Sequence, residues 1–431
     1  MKKAWIFVLW VTLWSHLAHS QQLVVEVTQG MDSANPIAVV PFAWSGQPLN
    51  EDVAAIIGQN LERSGFFKSM ARENMLSFPS TQEQVFFRDW RVQKNDYLVI
   101  GRMEPSGGDQ VSVVFELYDV LKEQRIHAQQ VSGSTANLRD VAHFISDIIF
   151  EQLTGIKGAF STRIAYVTSE QLGPNQQRFR LHMADWDGMR PRTILESSEP
   201  ILSPAWSFDG SKLAYVSFET SRPSVYVQHL ATGQRERIQS FPGLNGAPAW
   251  SPDGRRLALT LSKDGNPEVY VLDLQSRNLE RMTNNSAIDT EPFWSPDGRH
   301  LYFTSDRGGS PQIYRLDMSS RGVERVTFEG NYNARGRLTQ DGRFLAMVHR
   351  GSSRRFQIAV QDLQSGRLDI LTNSDYDESP SIAPNGSIII YATQQGTRGV
   401  LAAVSLDGRI RFNMPAAQGD VREPAWSPFL R

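Results

Sequence analysis

The 431-residue chain has no cysteine, which removes disulfides, thiolate metal sites and thiol catalysis together. It also lacks a dominant charge: the formal net charge of −2 gives no field that would draw nucleic acid or an anionic membrane. Catalytic signatures are missing as well. There is no G-x-S-x-G elbow, H-E-x-x-H helix, P-loop or Rossmann fingerprint. His127, His143, His182, His229, His300 and His349 neither cluster nor recur in any repeated unit. Beyond the first twenty residues, no apolar run reaches the roughly 18 needed to cross a bilayer.

Those first twenty residues form a pattern of their own. Lys2 and Lys3 precede a largely apolar stretch, and Ala18-His19-Ser20 places small residues at a cleavage site. The pattern predicts export to the periplasm after removal of residues 1–20, with no membrane insertion. No cysteine follows the cut, so no lipid anchor is expected.

What the chain does have is a phrase on a fixed beat. Pro204-Ala205-Trp206-Ser207-Phe208-Asp209-Gly210 returns at Pro248 and Pro292, in degraded form at Gly336 and Pro380, and truncated at Pro424. Each start lies 44 residues from the last. Strand-rich self-similarity at that period is the signature of β-propeller blades. Residues 163–168 match 212–217, the second strand of a full repeat, so the first blade lacks its innermost strand. The segment from Pro424 supplies it, which predicts six blades over 162–431, closed by the C-terminus. The recurring Asp209, Asp253, Asp297 and Asp341 fit a turn in which Asp caps backbone amides and Gly takes φ > 0. Trp206, Trp250, Trp294 and Trp426 are expected between blades.

Residues 36–154 read as a small α/β domain. A helix from about Asn50 carries Val53, Ile56, Ile57 and Leu61 and ends at Gly65. A second helical stretch carries Val85, Phe86, Trp90 and Val92, and three strands follow over 97–103, 110–118 and 125–131. In the closing helix Asn137 is the cap, Asp140 the capping-box partner, and Val141, Ile145, Ile148 and Ile149 the apolar stripe. Residues 155–161 are the expected linker. The stretch 21–35 is either an edge strand or a mobile arm.

The loops entering the innermost strands (197–203, 241–247, 284–291, 328–335, 373–379 and 416–423) should crowd one mouth of the propeller. They carry Glu199, Asp289, Glu291, Asp375, Asp377, Glu378, Asp420 and Glu423, with Arg335 and Arg422 as the basic residues. Such a ring fits a docked partner segment with basic groups, or a weak Ca²⁺ site built from oxygens; no other cofactor is expected.

The export signal, the α/β domain and the six blades together resemble the TolB family, the periplasmic component of the Tol–Pal system. The most specific stretches are LTGIKGAF at 153–160, NGAPA at 245–249 and PAWSP at 424–428. The resemblance implies a monomeric, non-enzymatic adaptor for outer-membrane integrity and cell division, without nucleic-acid partners. It implies that the lipoprotein Pal is held at the mouth by Leu244, Asn245, Ala247, Thr290 and Glu291, beside Arg335, Glu378 and Glu423 of the same ring. It implies that TolA is engaged through the arm residues Gln21, Gln22, Leu23, Val24, Val25, Glu26, Val27 and Asp32, with other periplasmic or outer-membrane proteins as further partners. Two other classes compete: the propeller domain of a hydrolase, which would need a catalytic domain of about 250 residues, and a small-ligand-binding propeller.

Overall fold

The computed structural model describes residues 25–27, 34–415 and 417–430. The expected signal segment and the arm residues Gln21 to Val24 and Asp32 lie outside them. Six antiparallel sheets form the propeller, five of four strands and a sixth of five. The first blade joins Arg163–Gly173, Gln176–Asp185 and Arg192–Ser197 to Asp420–Trp426 near the other end of the chain. Ala425 pairs with Ala165 and Trp426 with Ile164, the closure expected from the offset repeat.

The phrase works as turn and fastener at once. Ser295 Oγ donates to Asp297 Oδ1 at 2.6 Å, which also accepts the Arg299 N–H at 3.0 Å, and Gly298 sits at φ 69°. Burial alone would raise the pKa of Asp209, yet its bonds from Ser207 and Ser211 bring it down to about 2. Three of the four repeat tryptophans reach backward as well as packing. The indole N–H of Trp206, Trp250 and Trp294 donates to the backbone carbonyls of Ala425, Ala205 and Ala249 in the preceding blade.

The innermost strands start earlier than the phrase. Asn245–Trp250 and Asp289–Trp294 already include residues the sequence places in entry loops. The register slips within each innermost strand, between Gly246 and Ala249 for example, because the residue just before the phrase turns left-handed. Ser203, Ala247, Glu291, Arg335, Ser379 and Glu423 all have φ of 46–55°, at the 44-residue spacing.

The N-terminal sheet runs Phe67–Ser69, Asn35–Val39, Tyr97–Pro105, Gln110–Asp119, Gln124–Ser134, with Ala43–Trp44 also beside Tyr97–Pro105. Helices Val53–Arg63 and Leu138–Thr154 cover one face. The other face is capped by a second cluster around Met75, Trp90 and Tyr118. The second helical stretch is shorter than its sequence pattern predicts. The short helix is only Phe87–Val92; Trp90 is its one buried residue, while Phe86 and Val92 are exposed, since six residues are too few to build a full apolar stripe. Asn137 makes no side-chain cap bond, and Asp140 does not close a capping box. Asp140 instead pairs with Arg163 at 2.9 Å and with Arg190, both from the propeller.

Residues 155–161 are packed rather than loose. Asp147 accepts the N–H groups of Phe160 at 2.6 Å and Ser161 at 3.1 Å, and a Cβ on Gly158 would fall 2.3 Å from the Asp147 Cα. Phe150, Phe160, Trp186 and Trp426 carry a chain of ring contacts from the N-terminal domain into the first blade. The arm strand Val25–Val27 runs antiparallel to Ile410–Asn413 and extends the sixth blade to five strands.

Candidate functional site

The left-handed residues turn their side chains into the channel mouth, where a void of about 50 Å³ lies among them. At its centre Arg335 bridges carboxylates from two other blades: Nε donates to Glu291 at 2.9 Å and Nη1 to Glu423 at 3.2 Å, with a further contact to Ser379. Glu291 also accepts from Thr304 Oγ1 at 3.0 Å and from the Arg335 N–H at 3.1 Å. Enclosure on its own would lower the Arg335 pKa, but Glu423, Glu291 and Glu378 outweigh it and the net shift is upward. The guanidinium already supplies the positive charge that these oxygens would offer to Ca²⁺, so Glu291 and Glu423 do not fit a calcium site.

The other acidic residues separate into distinct roles. Asp289 is buried and paired with Arg307 at 2.6 Å. Asp377 is buried and accepts from Thr372 and Ser374. Asp375 pairs with Arg355 at 3.1 Å, and Asp420 accepts the Gly399 N–H at 3.0 Å. Only the side chains of Glu199 and Glu378 have no hydrogen bond or ion pair among the described residues of the set; Arg422 is exposed at the groove edge. Asn245, expected as a contact, is buried: its amide donates to the carbonyls of Phe241 at 2.6 Å and Gly243 at 3.2 Å and accepts the Phe241 N–H at 2.9 Å. Its effect on a partner would be to hold the loop that presents Leu244. Thr290 lies with Thr260 at 3.4 Å, beside the ring at Glu291.

Two further positions recur with the repeat. An Asn or Asp stands three residues before the phrase at Asn245, Asp289, Asn333 and Asp377, buried each time. One residue earlier come Leu244, Ile288, Tyr332 and Tyr376, an apolar collar on the mouth. Leu244, Ile288 and Tyr376 are 42%, 48% and 59% exposed. Both were readable from the 44-residue period, once alignment extends upstream of the phrase. Beside the collar, a groove of about 430 Å³ is lined by Glu291, Tyr332, Phe356, Tyr376, Glu378 and Arg422. Tyr332 and Phe356 meet edge to face at 5.1 Å, with Arg350 stacked over both rings. An apolar collar around a charge-neutralised centre, with one open carboxylate at its side, is the anatomy of a protein-docking surface.

A larger cleft of about 1040 Å³ lies elsewhere, bordered by Gly65, Phe66, Ile156, Lys157 and by Ile410 and Arg411 of the strand that pairs with the arm. The junction between domains holds the one His/Asp cluster with metal-like spacing among the described residues: His143, Asp185 and Asp187. Arg139 donates to Asp185 at 3.1 Å and Asp187 at 2.6 Å, Arg63 to Asp187 at 3.1 Å, and Arg190 to Asp185 at 2.8 Å. Four guanidiniums, counting Arg163 on Asp185, already balance the two carboxylates, so the cluster has no charge demand for a metal.

Known proteins match this arrangement over most of the chain. The family model described as the TolB amino-terminal domain matches residues 23–126, and that of the TolB beta propeller domain matches 150–430. The chain is 60% identical to the Tol-Pal system protein TolB of Pseudomonas aeruginosa over 406 residues, 94% of each protein. It is 58% identical over 416 residues to that of Pseudomonas fluorescens strain Pf-5, 96% of each. The crystal structure of TolB from Acinetobacter baumannii superposes with a TM-score of 0.87 at 46% identity, covering 95% of this chain and all of that one.

Proposed function

Because the chain belongs to the TolB family of Tol-Pal system proteins, we propose that it is a non-enzymatic periplasmic adaptor holding the lipoprotein Pal at the propeller mouth and TolA through its N-terminal arm. Its role in the Tol-Pal system would then serve outer-membrane integrity and cell division. The reading is supported chiefly by the collar of Leu244, Ile288, Tyr332 and Tyr376 around the Glu291–Arg335–Glu423 centre. Leu244, Ala247, Thr290, Glu378 and the groove walls then meet the partner, while Asn245 and Arg335 fix the shape they present. The adaptor acts as a monomer, without nucleic acid and without entering the membrane; no described helix is long and apolar enough to cross one. It needs no cofactor, and Arg335 takes the place of a channel cation. Other periplasmic or outer-membrane proteins are further partners.

Calorimetric titration of the mature protein with the soluble domain of Pal tests this. One-to-one binding should weaken by about tenfold or more in Tyr376→Ala, an exposed collar residue whose loss leaves the blades intact. Pal binding that ignores both Tyr376→Ala and Glu378→Lys would move the partner away from the mouth.

A further inference from the structure

Sheet edges expose unpaired N–H and C=O groups, and proteins usually shorten, charge or cover them. The blades do so consistently. Their outer strands Leu279–Arg281, Val323–Arg325 and Leu368–Ile370 have three residues each. Arg235–Gln239 and Arg192–Ser197 are longer but carry charge at Arg235, Glu236 and Arg237, and at Arg192 and Glu196. The sixth blade is covered by Val25–Val27. In the N-terminal sheet, the edge strand Phe67–Ser69 is again only three residues long.

Gln124–Ser134 is the exception. It is an 11-residue edge strand paired only with Gln110–Asp119 among the described residues. It has no proline and no lysine, and its one charge, Arg125, is engaged with Glu116 at 3.1 Å. Its solvent face shows Ala128, Gln130 and Ser132, all small or uncharged and exposed. Its other face carries His127, Gln129 and Val131, opposite the buried Leu117, Phe115 and Val113.

An apolar ledge stands over that second face. Helix Leu138–Thr154 crosses the strand closely enough that a Cβ on Gly133 would lie 2.4 Å from Val141 Cγ2. Phe144 and Ile148 share the helical stripe of Val141, at i+3 and i+7. His143 and Ser146 turn the opposite way, toward Asn60 of the first helix, which donates to both at 2.9 Å. Phe144 is therefore on the side of the open edge, and it is 44% exposed.

We propose that Gln124–Ser134 receives an extended segment of a partner protein by β-strand addition, antiparallel and beneath Phe144. The exposed backbone supplies the hydrogen bonds. The near absence of charge selects a segment with apolar residues at alternate positions, facing Phe144 and Val131, and uncharged residues between them.

The probe is a synthetic peptide copying Gln110–Asp119 with Glu116→Gln and Asp119→Asn, whose Val111, Val113, Phe115 and Leu117 already suit this strand's alternation and whose intervening residues are then uncharged. Titrated into the full chain, it should bind saturably and slow hydrogen exchange by about tenfold or more at amides within 124–134. Two N-methylated versions distinguish backbone pairing from simple stickiness. One blocks the odd-numbered residues and the other the even-numbered ones; only one edge of an added strand bonds, so one version should bind and the other should not. Phe144→Ala, at an exposed site, should weaken binding by about fivefold. Protection elsewhere, equal behaviour of the two blocked peptides, or no binding would overturn the proposal. So would protection of 124–134 that grows with protein concentration alone, which would assign the edge to a second copy.

Discussion

At the scale of single residues, His143 makes acid sensitivity a local matter. Asn60 donates to its Nδ1 at 2.9 Å, so the neutral ring carries its proton on Nε2, which finds no hydrogen-bond partner and lies 3.5 Å from Asp185. Burial foremost, and then Arg139 and Arg190 against the opposing Asp187, push its pKa from 6.5 down to about 4. An unfolded chain takes up this proton near 6.5 and the folded chain only near 4, so the unfolded state holds more protons in between. Stability should therefore fall as pH drops through that window, by up to about 3 kcal/mol, and level off below it. Urea midpoints measured between neutral pH and the lower end of the window check this. His182 is lowered to about 4 as well, so the difference between the native chain and His143→Gln isolates the contribution of His143. A slope unchanged by that substitution would place the acid sensitivity elsewhere.

Arg335 makes the opposite kind of statement at the mouth. Its side chain is about a third exposed to the channel, so its pairs with Glu291 and Glu423 are partly screened. Arg335→Ala leaves two carboxylates facing each other and should cost about 1–3 kcal/mol of stability. Adding Glu291→Gln should recover part of that loss in a denaturation series. Losses that simply add would mean the two side chains do not interact.

At the scale of elements, the repeat shows what a sequence can and cannot reveal. Blade number, closure and turn chemistry were legible because Trp, Pro, Asp and Gly each do one job at one repeat position. The left-handed ring was not, because Ser203, Ala247, Glu291, Arg335, Ser379 and Glu423 share a backbone shape but no side-chain chemistry. The charge balance of the mouth was not legible for a related reason: composition counts carboxylates without saying which ones Arg307, Arg335 and Arg355 already neutralise. Likewise Asp140 has the spacing of a capping box, yet two arginines distant in sequence outcompete the helix end. The fasteners between blades can be graded by what each touches. Trp294→Phe keeps most of the ring but loses the bond to the Ala249 carbonyl, and should cost about 1 kcal/mol. Trp426→Ala removes a buried ring from the closing strand, together with its bond to Thr162 at 2.8 Å, and should cost about 3–5 kcal/mol. Thermal unfolding of the two variants checks the order; equal losses would deny the closing strand any special weight.

At the scale of the whole molecule, the sixth blade links two places that sequence order keeps far apart. Its outer strand Ile410–Asn413 carries the arm strand Val25–Val27. Its inner strand Glu378–Ile382 brings Glu378 and Ser379 to the mouth, and Thr393, Gln394 and Gly399 of the same blade line the groove. The Gly65 turn of the N-terminal domain leaves no space for a Cβ beside Ile410. A partner that pulls the arm from this edge thus acts on a blade that also shapes the mouth, and a partner seated at the mouth acts on a blade that holds the arm. If the two are coupled, each ligand must change the other's affinity by the same factor, about 5- to 150-fold for coupling of ordinary size. Removing residues 21–33 frees the edge permanently, so titration of the shortened and full-length mature chains with soluble Pal should give affinities that differ by at least the lower end of that range. The reciprocal experiment, exchange protection at Ile410–Asn413 with and without Pal, should move in the matching direction. Equal affinities with unchanged protection would mean that the blade is rigid between its two edges, and that arm and mouth work independently.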